Sequence, residues 1–151
     1  MGLTRFDTDP VERLDGFELQ PIRWKYAFPV TGYEMAGNRV YQFAPDMWAE
    51  FEIPPGTRSI RMLVGIREGA YTGGNNTDGA RMRWSLVVKN DSIQVDELYL
   101  NPRDNADQRG LLEYSFELPQ TAGGTLRLEV DGGPRRHNAW DWLMIGSLKA
   151  E

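Results

Sequence analysis

Hydrophobic and polar residues alternate with period two along most of this chain. In "RMRWSLVV" (81–88), Met82, Trp84, Leu86 and Val88 share one face, opposite Arg81, Arg83 and Ser85. "LLEYSFEL" (111–118) sets Leu112, Tyr114, Phe116 and Leu118 against Glu113, Ser115 and Glu117. "TLRLEVD" (125–131) turns Leu126, Leu128 and Val130 inward, and "SIRMLVGI" (59–66) does so with Ile60, Met62, Val64 and Ile66. Such one-sided alternation describes antiparallel sheets with one face on a core.

Weaker strands bring the expected number to about nine. Arg23 to Phe28 groups Trp24, Tyr26 and Phe28, and Arg39 to Phe43 follows a Gly-Asn turn. "WAEFEI" (48–53) buries Ala49, Phe51 and Ile53, leaving Trp48 outward with Glu50 and Glu52, either as a platform or, the favoured reading, under an N-terminal arm. "SIQVDELYL" (92–100) slips phase at Asp96-Glu97, as a β-bulge would. A closing strand runs from Trp140 to Leu148. It puts Trp140, Trp142 and Met144 on one face and Asp141, Leu143 and Ile145 on the other. Pro54-Pro55-Gly56, Asn90-Asp91, Gly123-Gly124 and Asp131-Gly132-Gly133-Pro134 supply turns. Asp9-Pro10-Val11-Glu12 has the residues of a short helix start. The pattern predicts an all-β antiparallel sandwich, a jelly roll, over residues 21–151, preceded by an arm over residues 1–20.

Composition narrows the function. The formal net charge of −5 argues against a general nucleic-acid surface. The chain has no Cys, which removes disulfides, Cys-ligated zinc and a thiol nucleophile. No apolar run approaches the ~20 residues of a membrane span, and "MGLTRFDTDP" lacks a signal-peptide core. The chain therefore reads as a soluble cytoplasmic protein or as an excised or processed domain of something larger.

Enzyme motifs are absent. His137, the one histidine, and Asp141 lie four apart outside any helix, and neither G-x-S-x-G nor H-E-x-x-H occurs. The chain is expected to be non-catalytic, with glycan hydrolysis by a carboxylate pair as the minority reading. "NNTDG" (75–79) and "DNAD" (104–107) offer oxygen ligands for a structural calcium ion, although Asx turns are the stronger reading of both.

Two loops exceed what a hairpin needs, "REGAYTGGNNTDGA" (67–80) and "NPRDNADQRG" (101–110). Sugars are held by aromatic rings against their apolar faces and by Arg, Asn and Asp on their hydroxyls. Tyr71, Asn75, Asn76, Asp78, Arg109, Arg135, His137 and Trp140 all fall in loops or at strand ends and are the candidate ligand contacts. Trp84 is inward and belongs to the core. Asp141, sharing a face with Leu143 and Ile145, needs donors, from a loop or from Arg109 and Arg135, and reads as a brace for the last strand.

The succession "WAEFEIPPGTRSIRMLVGI", "TDGARMRWSLVV", "ELYLNP…DQRG…YSFELP", "TLRLEVDGGP" and "DWLMIGSL" resembles galactose-binding-like jelly rolls of the NPCBM type. These are carbohydrate-binding modules often attached to glycoside hydrolases. It also resembles extracytoplasmic β-domains of bacterial membrane glycosyltransferases and polysaccharide-assembly proteins. The resemblance spans residues 40–149. It implies a non-catalytic carbohydrate-binding or glycan-assembly role outside the cytoplasm, sometimes with a structural calcium ion. Asp78 matches its T-D-G turn and Asp141 its closing motif. The alternative is an oligomeric assembly protein that uses its sandwich faces for protein contacts.

Overall fold

The computed structural model describes residues 13–26, 30–72, 74, 77, 79–119, 123–133 and 143–151. They form ten strands: β1 (Pro21–Lys25), β2 (Thr31–Met35), β3 (Asn38–Phe43), β4 (Met47–Ile53), β5 (Ser59–Ile66), β6 (Ala80–Val88), β7 (Asp91–Leu100), β8 (Gly110–Glu117), β9 (Gly124–Asp131) and β10 (Leu143–Ala150). One sheet has the order β1-β4-β9-β6-β7 and the other β2-β3-β10-β5-β8. Every described strand pair is antiparallel, and the two sheets enclose one core. The fold is an antiparallel β-sandwich of the jelly-roll class, with one strand more than alternation predicts. The addition is β2, "TGYEM", whose Gly32 and two-sided exposure erase the period-two signal.

Alternation placed the core correctly. Ile60, Met62, Val64 and Ile66 of β5 meet Met82, Trp84, Leu126 and Leu128 of the facing sheet, all at 1% exposure or less. Trp84 lies between Phe51 and Phe116, with ring centroids at 6.3 and 5.5 Å. Val88 departs from its expected inward place, because β6 runs beyond the sandwich into its hairpin with β7 and leaves Val88 exposed. Leu112 and Tyr114 are only half-buried, since β8 is an edge strand.

The expected bulge in β7 is present. Trp84 pairs with Asp96 while Ser85 pairs with Gln94, so Val95 is the extra residue. The bulge turns Asp96 to the inner side of the sandwich edge. There it accepts a hydrogen bond from the Tyr114 hydroxyl of the other sheet. Burial raises the Asp96 pKa, against the opposing effect of that hydrogen bond. Burial and the neighbouring carboxylate push the Tyr114 hydroxyl well above its usual value.

Two further features shape the surface. Residues 13–20 pack Leu14, Phe17 and Leu19 into the core. Phe17 meets Tyr41 edge-on at 5.7 Å, and the Gln20 amide donates to the Leu14 and Phe17 carbonyls. Residues 1–12, including the expected helix start, lie outside the described residues. The β2–β3 ribbon bends over the outward face of its own sheet. A Cβ on Gly65 of β5 would stand 3.2 Å from Met35 Cε, and one on Gly146 of β10 would stand 2.8 Å from the Arg39 carbonyl oxygen. Met144, on the face of β10 opposite Leu143 and Ile145, is therefore fully buried as well.

Trp48 faces outward as alternation requires, but it is not a bare platform. The Arg127 guanidinium stands 4.3 Å from its ring centroid. Arg127 also donates to Glu50 at 3.1 Å, and Arg23 donates to the same carboxylate at 2.8 Å. The outward face of this sheet is a lattice of paired charges.

Candidate functional site

The ladders settle which loops share an end. Ile66 of β5 pairs with Gly110 of β8 and with Leu143 of β10; Ala80 of β6 pairs with Leu100 of β7, and Arg81 with Asp131 of β9. The β5–β6, β7–β8 and β9–β10 connections therefore leave from one end of the sandwich. All eight candidate ligand residues belong to these three connections. Of the eight, Tyr71 and Arg109 are described. Asn75, Asn76, Asp78, Arg135, His137 and Trp140 lie outside the described residues, as does Asp141.

Tyr71 follows a short 3-10 turn, Glu68–Ala70, whose Ala70 is fully buried and anchors the loop. The Tyr71 amide donates to the Glu68 carbonyl, and its ring rests partly buried against the core. Arg109 comes from the next connection. Its guanidinium lies 5.6 Å from the Tyr71 ring centroid, so the two loops meet through a cation–π contact. Arg109 Nε donates to the Pro102 carbonyl at 2.7 Å and Nη2 to the Arg103 carbonyl at 3.0 Å. Its first role is thus to tie its own loop and brace the tyrosine.

Beside Tyr71 opens a cleft of about 360 Å³ between the β2–β3 ribbon and the β5–β6 loop. Tyr33, Glu34, Arg67, Glu68 and Tyr71 line it, over a floor that includes Gly110 and Leu111. The Arg67 guanidinium stands 4.6 Å from the Tyr33 ring centroid, a second cation–π pair across the mouth. Its size suits a small polar ligand. Tyr33, Glu34, Arg67 and Glu68 are not among the residues singled out by sequence. The available signal was glycine in otherwise buried strands: Gly65 and Gly146 announce a close backbone approach, here that of the ribbon forming one cleft wall.

The "DNAD" run forms local bonds. Asp104 accepts from the Asn101 amide and from Arg103, and Asn105 caps the Asn101 carbonyl. The Asn101 side-chain oxygen is buried without a partner. Among the described residues, no three His, Asp or Glu side chains gather as a cation site. Three of the five residues of "NNTDG" lie outside the described set. Among the described residues no helix is long and apolar enough to cross a membrane.

No protein-family model matches the chain, and no curated protein matches it in sequence. Solved structures match it by fold. The CBM51-2 and INT domains of Clostridium perfringens ZmpB align over 97% of this chain with a TM-score of 0.54 and 9% identity. The K2 cleaved adhesin domain of Lys-gingipain aligns over 100% with a TM-score of 0.51 and 9% identity. This chain spans 30% of the first of those chains and 99% of the second. The chain shares the β-sandwich fold of these domains, and at such identity the likeness concerns the fold alone.

Proposed function

We propose that this chain is a non-catalytic carbohydrate-binding module that takes a glycan at the loop end of the sandwich. The observation that carries the reading is the meeting of Tyr71 and Arg109, from separate loops, beside the Tyr33–Arg67 cleft. Aromatic faces and planar donors around a small hollow are what sugar recognition requires. The carbohydrate-binding module in the similar solved structure supports the same reading. The cleft offers Tyr71 and Tyr33 for apolar sugar faces, and Glu34, Glu68 and Arg67 for hydroxyls, with Arg109 beside it against Tyr71. Asn75, Asn76, Asp78, Arg135, His137 and Trp140 extend the proposed contact set from the same loops. A module of this kind works outside the cytoplasm, attached to or beside a glycan-active partner.

Affinity electrophoresis through gels containing gastric mucin, arabinogalactan, laminarin or chondroitin sulfate tests the proposal. At least one polymer is expected to retard the protein, and Tyr71→Ala is expected to abolish the retardation. Unretarded migration through all four, confirmed by calorimetry, would overturn the reading.

A further inference from the structure

Tyr99 stands at the root of all three candidate loops. It lies next to the last residue of β7, on the outward face, opposite Arg81 in the ladder. The same edge of its ring faces two glycines that end or begin other loops. A Cβ on Gly79, the last residue before β6, would stand 2.3 Å from the Leu100 carbonyl oxygen and 2.9 Å from Tyr99 Cε1. A Cβ on Gly133, just after β9, would stand 2.6 Å from the same atom. Any side chain at either glycine would collide with the ring. Both glycines also have positive φ, +91° and +80°, which L-residues rarely adopt.

The backbone of Tyr99 serves the third loop. Gln108, from the β7–β8 connection, donates from its side-chain amide to the Tyr99 carbonyl and accepts from the Asn101 amide at 2.8 Å. Beside the ring, Arg81 Nε sits 3.1 Å from both Asp131 carboxylate oxygens, and Asp131 caps the Gly133 amide at 2.8 Å. One aromatic ring and one carbonyl therefore join the β5–β6, β7–β8 and β9–β10 connections. The Arg81–Asp131 pair fixes the strand end beside them.

We propose that Tyr99 is a positioning residue that holds the roots of the three ligand loops as one unit, so that the glycan site is assembled before ligand arrives. The functional consequence rests on the carbohydrate-binding reading, whereas the coupling of the loops does not. A half-buried ring wedged against two glycines has little room to shift, and a pre-assembled site avoids the ordering cost of binding.

Limited trypsinolysis of the full chain, followed by mass spectrometry, separates the two. Arg67, Arg103 and Arg109, and Arg135 report on the three loops in turn, while Lys89, in the β6–β7 turn at the far end, reports on the remainder. In Tyr99→Ala, cleavage at the loop sites is expected to rise together by about tenfold with Lys89 unchanged. Gly133→Ala, which drives a methyl into the ring, should reproduce the Tyr99→Ala pattern and serves if that variant folds poorly. On whichever of the four polysaccharides retards the wild type, Tyr99→Ala should bind about tenfold more weakly. A rise confined to Arg103 and Arg109, or an equal rise at Lys89, overturns the inference. If none of the polymers retards the wild type, the sugar reading fails and the cleavage pattern alone decides the coupling.

Discussion

Arg109 stands over Tyr71 at 5.6 Å from the ring centroid, joining the loop after β5 to the loop before β8. The contact leaves Tyr71 half-buried, braced on one side by the core and on another by a guanidinium already tied to two carbonyls. An exposed cation–π pair contributes about 0.5–1 kcal/mol. Arg109→Lys keeps the charge but loses the planar fork that reaches both carbonyls. Chemical denaturation should show a loss of about 1 kcal/mol for Arg109→Lys, with the sandwich intact by far-UV circular dichroism.

The ribbon wall depends on Gly65. A Cβ there would stand 2.5 Å from the Gly110 carbonyl oxygen, a backbone atom that cannot swing aside, and 3.2 Å from Met35 Cε. Gly65→Ala is expected to cost about 1–3 kcal/mol by overpacking and to displace Met35. Methionine methyl NMR should show a shifted Met35 resonance, whereas Gly56→Ala, with open space around it but φ +86°, should leave that signal in place.

Trp84 presents a different balance. It is fully buried, yet its indole N–H has no hydrogen-bond partner. Trp84→Ala should cost about 3–5 kcal/mol through the cavity left between Phe51 and Phe116. Trp84→Phe should cost only about 1 kcal/mol, because removing an unsatisfied donor offsets part of the lost packing. Urea unfolding midpoints of the two variants measure the contrast.

Asp96 and Tyr114 bridge the two sheets at their open edge. Burial raises the Asp96 pKa above its ordinary 3.8, so the folded protein binds a proton that the unfolded chain releases first. Stability should then fall as pH rises through a window beginning near 3.8 and extending above it. Asp96→Asn, which keeps an acceptor for the Tyr114 hydroxyl, should remove that component of the slope. Thermal midpoints from pH 3 to 7, compared between wild type and variant, check the sign.

The residues reveal much of this architecture, and the exceptions have physical causes. Strands with one face on the core, such as β5, β6 and β9, declare themselves because burial on one side enforces alternation. The bulge in β7 is legible because it breaks that alternation at Asp96. β2 is invisible because it covers an outer face and has no strict inside. The cleft lined by Tyr33 and Arg67 is hidden for the same reason, since it depends on how a ribbon bends rather than on any spacing along the chain. Tyr71 and Arg109 are recognisable as loop residues, but their meeting follows from the strand order. That order brings three connections to one end, which no local pattern encodes.

Isothermal titration of the polysaccharide that retards the protein, against wild type and Tyr71→Ala, decides whether the loop end of the sandwich takes a glycan. Saturable binding by the wild type and at least a tenfold loss in Tyr71→Ala are expected, with the variant still folded by its thermal midpoint. Wild-type affinity in a folded Tyr71→Ala would contradict that expectation.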